Sequence, residues 1–590
     1  MGFCLPKYTA DILKGKFKSG EITPEKLSDM SSAERRQTLS FLGEENAKNT
    51  NALFESKLLL KNQQLGMINW AKQILKLKPD ILRDTLTKVE KMTEVLSEKD
   101  LEKFKEDLIA KKLGFEVSQE EAGKLVDLAK NVEDLKKPVV EMQSKPDYLE
   151  RFNNKQETPQ ELETRIKYGT SLELFKSYVE SLKPETTPIT FKEFIKTPSK
   201  YFENLGNLTK SIVASIDNSF WGNQGITTLL NFRTTDIWVK NFIKSWGDIG
   251  RALKGEDPMV GIKADAFSRP DAVNGTYTRE KIAIGLHGEE VFPISLPERI
   301  PLFGRIFKAA SAAYNGAAIR LRVDLADRAN ISARQAGVDL TDPIRAEAIG
   351  RIINSGTGRG SIGVLEPAAP KINTFIFSMK LAKGTFDVLT GHLFDAKVRA
   401  DPFARKQAAY RILNMAATYY GLTAIYEALN PGSTEPDPRG SHFGEVKMGS
   451  SWVNIIGPFR PMARTLATII PTFHKGEFGF WRTDTKGNWQ GIKLFPTKAT
   501  KYGAFTPLDL LEGFVERKAS PLFGTVLNHW RGKDFLNRLP TPTGDIENLF
   551  GPITIKNYFE DKANPNVDYI IINTLLNVIG VNTNTPTPKK

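Results

Sequence analysis

Apolar residues recur at helical spacing along most of this chain, and the pattern predicts a mainly helical protein. Charged residues separate the apolar positions from about residue 20 to 185, which is typical of amphipathic helices with solvated faces. One of these helices is predicted to begin at a capping box formed by Ser118 and Glu121. The longer helices predicted further along are Thr235–Leu253, Phe303–Ala336, Pro343–Ile353, Ile372–Leu389 and Pro402–Leu429.

The periodicity changes between Phe443 and Ile456. Apolar and polar residues roughly alternate there around Gly449-Ser450, which predicts a β-hairpin with a tight turn. The predicted fold class is therefore mainly α, with many helices, several domains, a small β-hairpin near 443–456 and irregular loops rich in glycine and proline. A final apolar segment, Tyr569–Ile579, precedes the polar tail Asn582–Lys590, which is predicted to be mobile.

The length of 590 residues exceeds what one hydrophobic core usually supports. Shifts in composition suggest four regions. They are a charged helical domain (1–137), a linker with a helix (138–189), a helical core domain rich in aromatic residues and alanine (190–430), and a C-terminal region of hairpin, helices and basic loops (431–590). Phe220, Trp221, Trp238 and Phe242 predict that a core forms early in the third region.

The net charge of +13 and the pI near 9.3 favour anionic partners such as nucleic acid or anionic lipid. Cys4 is the single cysteine and the five histidines lack helical pair spacing, so no metal site and no cofactor are predicted. The uncharged run Ile412–Tyr426 is shorter than the roughly 20 residues of a membrane-spanning helix. A buried core helix is predicted there, and insertion after a change of state stays open.

A glycine-rich segment, Gly358-Arg359-Gly360-Ser361-Ile362-Gly363, formally matches a dinucleotide-binding loop. Such a loop needs a strand before it and a helix after it. Here a predicted helix precedes the segment and the extended stretch 364–370 follows it. We therefore interpret the segment as a structural loop, whose members are Gly356, Gly358, Arg359, Gly360 and Gly363.

Asp324 and Asp327 are the best candidates for acid–base chemistry, which would require the two carboxyl groups to have unequal environments. Arginines are interleaved with them at Arg320, Arg322 and Arg328. This pattern favours ion pairs at i, i+3 and i, i+4 along one helix over catalysis, and no catalytic residue is predicted.

Two further sets of residues are candidate contact surfaces. Basic residues interspersed with aromatic ones could contact phosphates or lipid headgroups, although aromatic residues near proline and glycine also pin loops to a core. That set is Arg460, Arg464, Lys475, Arg482, Lys486, Arg517, Lys518, Arg531 and Lys533. Small residues on the predicted helix after residue 303 form a candidate helix-packing face, Ala309, Ala313, Gly316 and Ala317.

Four blocks resemble, in the same order, segments of the large polyvalent proteins and internal virion proteins of tailed bacteriophages. They are Leu42–Trp70, Asp217–Gly225 (DNSFWGNQG), Thr357–Lys380 (with TGRGSIG and FSMK), and Asp437–Gly457 together with Glu516–Phe535. The basic residue that usually follows the serine of the third block is displaced here to Lys380. The resemblance covers about half of the chain and carries no reaction with it.

The resemblance implies a non-enzymatic virion protein that is made in the host cytoplasm and is internal to the particle or ejected from it. Its expected partners are other virion proteins, further copies of itself, DNA and the host inner membrane. Two alternatives stay open. One is an intracellular accessory protein that binds nucleic acid, and the other is an enzyme in which Asp324, Asp327 and Arg359 would be the candidate site residues.

Overall fold

A computed structural model describes most of the chain after residue 117. The described residues are 118–182, 219–285, 303–363, 366, 379–474, 476–483, 488–492, 521–532, 539–541, 544–545, 557–558, 561–562, 564 and 566–585. The helices predicted before residue 118 and the helix predicted at 507–517 lie outside these residues, as does most of the extended stretch predicted at 364–370. Contacts divide the chain into one unit of residues 1–133 and 175–184 and a second of 134–174 and 185–590. The four predicted domains stay a prediction.

The described part of the chain is mainly helical, as predicted. The helices before residue 300 are α1 (Gln119–Gln143), α2 (Tyr148–Asn153), α3 (Pro159–Ser181), α4 (Phe220–Asn223), α5 (Ile226–Leu229), α6 (Thr235–Leu253), α7 (Pro258–Ser268), α8 (Pro270–Val273) and α9 (Thr276–Glu280). The later helices are α10 (Phe303–Gln335), α11 (Pro343–Gly356), α12 (Met379–Phe394), α13 (Ala396–Ala400), α14 (Pro402–Leu429), α15 (Phe459–Thr468), α16 (Pro521–Arg531) and α17 (Ile570–Val578).

Local sequence explains where several of these helices begin. Helices α7, α11 and α14 each start at an Asp-Pro pair, in which the aspartate caps the helix and the proline takes its first position. Asp342, for example, accepts a hydrogen bond from the backbone N–H of Ile344 at 2.8 Å. The predicted capping box is also confirmed, since Ser118 N–H donates to Glu121 at 2.7 Å and Glu121 N–H donates to the Ser118 hydroxyl at 3.3 Å.

The aromatic core predicted after residue 190 is present around Trp221, which has no exposed surface. The rings of Trp238 and Phe242 lie 5.3 and 5.8 Å from the Trp221 ring, both edge-on. The buried indole N–H donates to Ser245 at 2.9 Å, so its polar group is satisfied. This cluster fixes α4 against α6, and α6 in turn packs along α10.

Two small antiparallel sheets complete the described fold. The predicted hairpin is confirmed as β1 (Glu445–Met448) and β2 (Ser451–Asn454), with Val446 opposite Val453. A third strand, β6 (Thr583–Asn584), pairs with β2 and lies in the tail that was predicted to be mobile, so that prediction is wrong for these two residues. The second sheet, β3 (Thr472–His474), β4 (Glu477–Thr483) and β5 (Trp489–Ile492), was not predicted.

Candidate functional site

A cavity of about 720 Å³ lies between α3, α6, α7 and α10 in the unit formed by 134–174 and 185–590. Its wall is unusually rich in charge. The cationic residues that line it are Lys155, Arg165, Lys240, Lys244, Arg251, Arg269, Arg320 and Arg328. The acidic residues are Glu157, Asp236, Asp265, Asp324 and Asp327. We call this feature the charged cavity.

Arg269 stands at the centre of the acidic residues, in the bend between α7 and α8. Its guanidinium donates to Asp265 at 2.7 Å, to Asp324 at 2.8 Å and to Asp327 at 2.7 Å. Only 10% of its side chain is exposed. A buried cation shared by three carboxylates gives each of them a counter-charge, which buried carboxylates require. Arg165 adds a second cation, at 2.9 Å from Asp265 and 3.0 Å from Glu157.

Asp324 and Asp327 have unequal environments. Burial raises the pKa of Asp327 to about 6. Burial also acts on Asp324, but Arg269 and Lys240 outweigh it and hold the pKa of Asp324 below its usual value. All four carboxylate oxygens nevertheless accept hydrogen bonds from the protein itself, from Arg269, Lys240, Asn241 and Tyr277. Oxygens so fully engaged favour a structural network over proton transfer to a substrate.

The interleaved arginines of α10 do not make the ion pairs along their own helix that the sequence pattern predicted. Arg320 pairs with Asp248 on α6, Arg328 with Asp236 on α6, and Arg334 with Asp271 on α8. The prediction is therefore wrong for these three arginines, because carboxylates on α6 and α8 come closer to them than the side chains of α10 do. Arg345 and Asp342, which belong to the same sequence pattern, do form a pair at i, i+3, at 3.6 Å. The arginines of α10 join helices to one another.

Lys244, on α6, lies beside this network but is not part of it. Around it, Lys240 pairs with Asp324 at 3.2 Å, while Arg251 and Arg320 share Asp248, at 2.6 and 2.9 Å. Within the described part of the chain, Lys244 forms no ion pair. Burial lowers its pKa, and the nearby charges of Lys240 and Arg320 lower it further. The lining of the charged cavity thus holds more positive than negative charge.

Glu280, at the end of α9, is a buried carboxyl group with no exposed surface. Burial, assisted by the charge of Asp271, raises its pKa well above the usual value. The folded protein therefore keeps a proton on Glu280 at a pH at which the unfolded chain has lost it, and the contribution of Glu280 to stability falls as the pH rises above about 4.5.

We expect Glu280→Gln to remove this part of the pH dependence. Between pH 5 and 7, the free energy of unfolding of the wild type should fall relative to that of the variant, by at most about 1.4 kcal/mol per pH unit. Urea denaturation at several pH values measures the difference. Glu256→Gln, at an exposed position after α6, should follow the wild type. If the free energy of unfolding varied with pH in the same way for the wild type and Glu280→Gln, the prediction would be contradicted.

The glycine-rich loop packs against the chain itself. Gly358 has a positive φ of 76°, and a Cβ there would lie 2.7 Å from Gln224. A Cβ on Gly360 would lie 2.3 Å from the backbone of Gly384 on α12, and the Gly360 N–H donates to the Lys380 carbonyl at 3.0 Å. At Gly356, the guanidinium of Arg411 occupies the space that a Cβ would take. Neither Arg359 nor Gly363 lines the charged cavity, so the structure does not bring Arg359 together with Asp324 and Asp327 there.

The small residues of α10 serve packing within the chain. Ala309, Ala313 and Ala317 have at most 1% of their surface exposed. A Cβ on Gly316 would lie 2.6 Å from Ile262 of α7, so this glycine permits a close approach of the two helices. The face predicted to pack helices does so, but it is occupied and offers no free surface for another molecule.

The candidate basic contacts are only partly described. Arg460 pairs with the buried Glu445 at 2.7 Å and donates to the Phe443 carbonyl at 3.0 Å, so it holds the β1–β2 hairpin to α15. Arg464 and Arg482 are half-buried and have partners. The remaining candidates, Lys475, Lys486, Arg517, Lys518 and Lys533, lie outside the described residues, and the side chain of Arg531 does too. Contact of this set with DNA or lipid stays a prediction.

Helix α14 has one buried face and one exposed apolar face. Ala408, Met415 and Tyr419 are buried, as the core-helix prediction requires. The opposite face carries apolar residues at alternating spacings of three and four, Tyr410, Leu413, Ala417, Tyr420 and Ala424, and all five are exposed. Leu422, Ile425 and Leu429 are also exposed, on other sides of the last turns of the helix. We call the five residues the α14 stripe. The prediction of a buried helix holds for half of its circumference.

None of the described helices is long and apolar enough to cross a membrane. Among the described residues, no group of three or more histidine, cysteine, aspartate or glutamate side chains could hold a metal ion. Comparisons with protein families, curated proteins and solved structures found no match to this chain.

Proposed function

We propose that this chain is a structural, non-enzymatic component of a tailed-bacteriophage virion that assembles through helical surfaces. In this proposal it is internal to the particle or ejected from it, and it contacts DNA or the host inner membrane during genome delivery. The α14 stripe is the observation that carries the assembly part. The four sequence blocks that resemble phage proteins, and the net charge of +13, support the rest.

The α14 stripe fits a second helix. Residues at alternating spacings of three and four form a seam along a helix, and such seams bury apolar side chains between paired helices. Leu413 is 61% exposed and Tyr420 is 43% exposed, so both would lose contact with water on pairing. Ala417 lies between them, Gly421 follows Tyr420, and both small residues would let a partner helix approach closely. We propose a second copy of this chain as the partner.

We expect Leu413→Glu to abolish self-association of the purified protein, because a charge in the middle of the seam would be buried without a partner. Light scattering coupled to size-exclusion chromatography measures the mass of the particle in solution. The wild type should be a multimer and the variant a monomer. Ile344→Glu places the same charge at a similarly exposed apolar residue, 65% exposed on α11, and should leave the multimer intact. A monomeric wild type would refute assembly through this stripe.

The virion part of the proposal is tested on purified phage particles. Mass spectrometry before and after genome ejection distinguishes the outcomes. A protein that is present before ejection and absent afterwards is an ejected internal component, and one that is present in both samples is a fixed structural part. Absence from both samples would overturn the virion proposal and favour an intracellular protein that binds nucleic acid, whose affinity for DNA would fall steeply with salt.

A further inference from the structure

We infer that the charged cavity is a binding site for a small, phosphate-bearing molecule, which it holds through Lys244 with Lys240 and Arg320. The inference rests on the shape and charge of the cavity, and it does not depend on the virion proposal. A volume of about 720 Å³ is within the range of small-molecule sites, roughly 300–1,000 Å³.

The charges around Lys244 favour an anion. Lys240 pairs with Asp324, which also serves Arg269, and Arg251 and Arg320 both pair with Asp248, so that neither carboxylate is paired with Lys244. Lys240 and Lys244 are one turn apart on α6 and therefore project from the same side of the helix. Asp324 and Asp265 attract Lys244, but the like charges of Lys240 and Arg320 repel it more strongly, and a bound anion relieves that repulsion.

Phosphate suits this arrangement better than a carboxylate does. A phosphate group has several acceptor oxygens, so it can accept hydrogen bonds from two ammonium groups and one guanidinium at once. Asp265, Asp324 and Asp327 also line the cavity, and each is paired with Arg269. They would repel negative charge, so the neutral part of the ligand would face these carboxylates and its phosphate would face Lys244.

Duplex DNA is excluded by size. Proteins read a duplex by inserting helices or strands into its grooves. A cavity of about 720 Å³ cannot enclose a duplex. The candidate basic residues beyond Arg460 are a separate set, and DNA binding by them would not involve Lys244.

Isothermal titration calorimetry of the full chain tests this inference, with pyrophosphate and ATP as probes. We expect the wild type to bind at least one of them and Lys244→Gln to weaken that binding about tenfold or more, because it removes a charge-assisted hydrogen bond. Lys244→Arg keeps the charge and should retain most of the affinity. Lys254→Gln removes one exposed charge at the end of the same helix, outside the cavity, and should change nothing.

The melting temperature separates binding from folding. Lys244 forms no ion pair with the described residues, and burial and nearby like charges disfavour its charged form, so Lys244→Gln should melt no lower than the wild type. Failure of the wild type to bind either probe at millimolar concentration would overturn the inference. Equal binding by wild type and Lys244→Gln would do so too. A 20-base-pair duplex serves as the third probe, and loss of duplex binding in Lys244→Gln without any pyrophosphate or ATP binding would make DNA the ligand instead.

Discussion

Replacing Arg269 by methionine is expected to lower the free energy of unfolding by about 3–5 kcal/mol at pH 7, the largest loss among the single-residue changes considered. Methionine fills much of the same volume but leaves Asp265, Asp324 and Asp327 without their shared cation. Removal of one partner from a buried ion pair typically has an effect of that size, since the remaining charge is left uncompensated. Urea denaturation followed by tryptophan fluorescence measures the loss.

The pH dependence of that loss identifies its cause. In the wild type, Arg269 helps to hold the pKa of Asp265 and Asp324 below their usual values, so both contribute stability that is present at neutral pH and lost as the pH falls. Without Arg269, their pKa should rise, and protonation at pH 5 should relieve part of the penalty. We therefore expect a smaller difference between Arg269→Met and wild type at pH 5 than at pH 7.

Arg328→Met is the matched control. Arg328 pairs with Asp236 at 2.7 Å, but 43% of its side chain and 64% of that of Asp236 are exposed. Exposed pairs contribute roughly 0–1 kcal/mol, so this variant should unfold almost as the wild type does. Equal losses in Arg269→Met and Arg328→Met would show that burial of the ion network does not determine its contribution to stability.

Replacing Gly350 by alanine is expected to destabilise the protein by about 3 kcal/mol. A Cβ at this position of α11 would lie 1.8 Å from the backbone carbonyl oxygen of Glu280. The atoms in its way belong mainly to the backbone, so α11 must move away from the end of α9, and overpacking of this kind typically destabilises by about 1–3 kcal/mol, sometimes more. Thermal and urea denaturation measure the effect.

Gly247→Ala is the corresponding control. Gly247 lies within α6, and a Cβ there would meet no atom within 4 Å. Alanine favours a helix over glycine by about 1 kcal/mol, so this variant should gain stability. The same chemical change should therefore have opposite signs at the two positions. A stabilised Gly350→Ala variant would show that α9 and α11 are not in close contact.

Local features of the sequence were sufficient to predict much of the fold. Helices were predicted to begin at Pro343 and Pro402 and do so, Gly449-Ser450 turns the hairpin, and the aromatic residues around Trp221 form the core. Each of these signals involves residues that are close in the chain, and their physical effect is local as well.

The charged cavity could not be predicted in the same way. Arg269 lies 55 and 58 residues from Asp324 and Asp327, and no local pattern connects them. The sequence does not distinguish Lys244 from any lysine on the solvated face of a helix. Only the packing of α10 beside α6 shows that Asp324 and Asp248 already pair with Lys240 and Arg320. The aromatic residues near the C-terminus were the stronger sequence signal for a binding surface. Trp489, however, stacks on His474 within the small sheet, with 4.5 Å between the ring centroids.

The pairing of β6 with β2 has a consequence for synthesis on the ribosome. Gly222, in α4 beside the aromatic core, donates to the carbonyl of Ile579 at 2.7 Å, and Thr583 pairs with Val453. More than half of the chain is translated between Gly222 and Ile579. The nascent protein therefore completes neither contact until residues 579 and 583 have left the ribosome, and contacts so distant in sequence form slowly. A nascent chain arrested before residue 579 would expose this edge to chaperones.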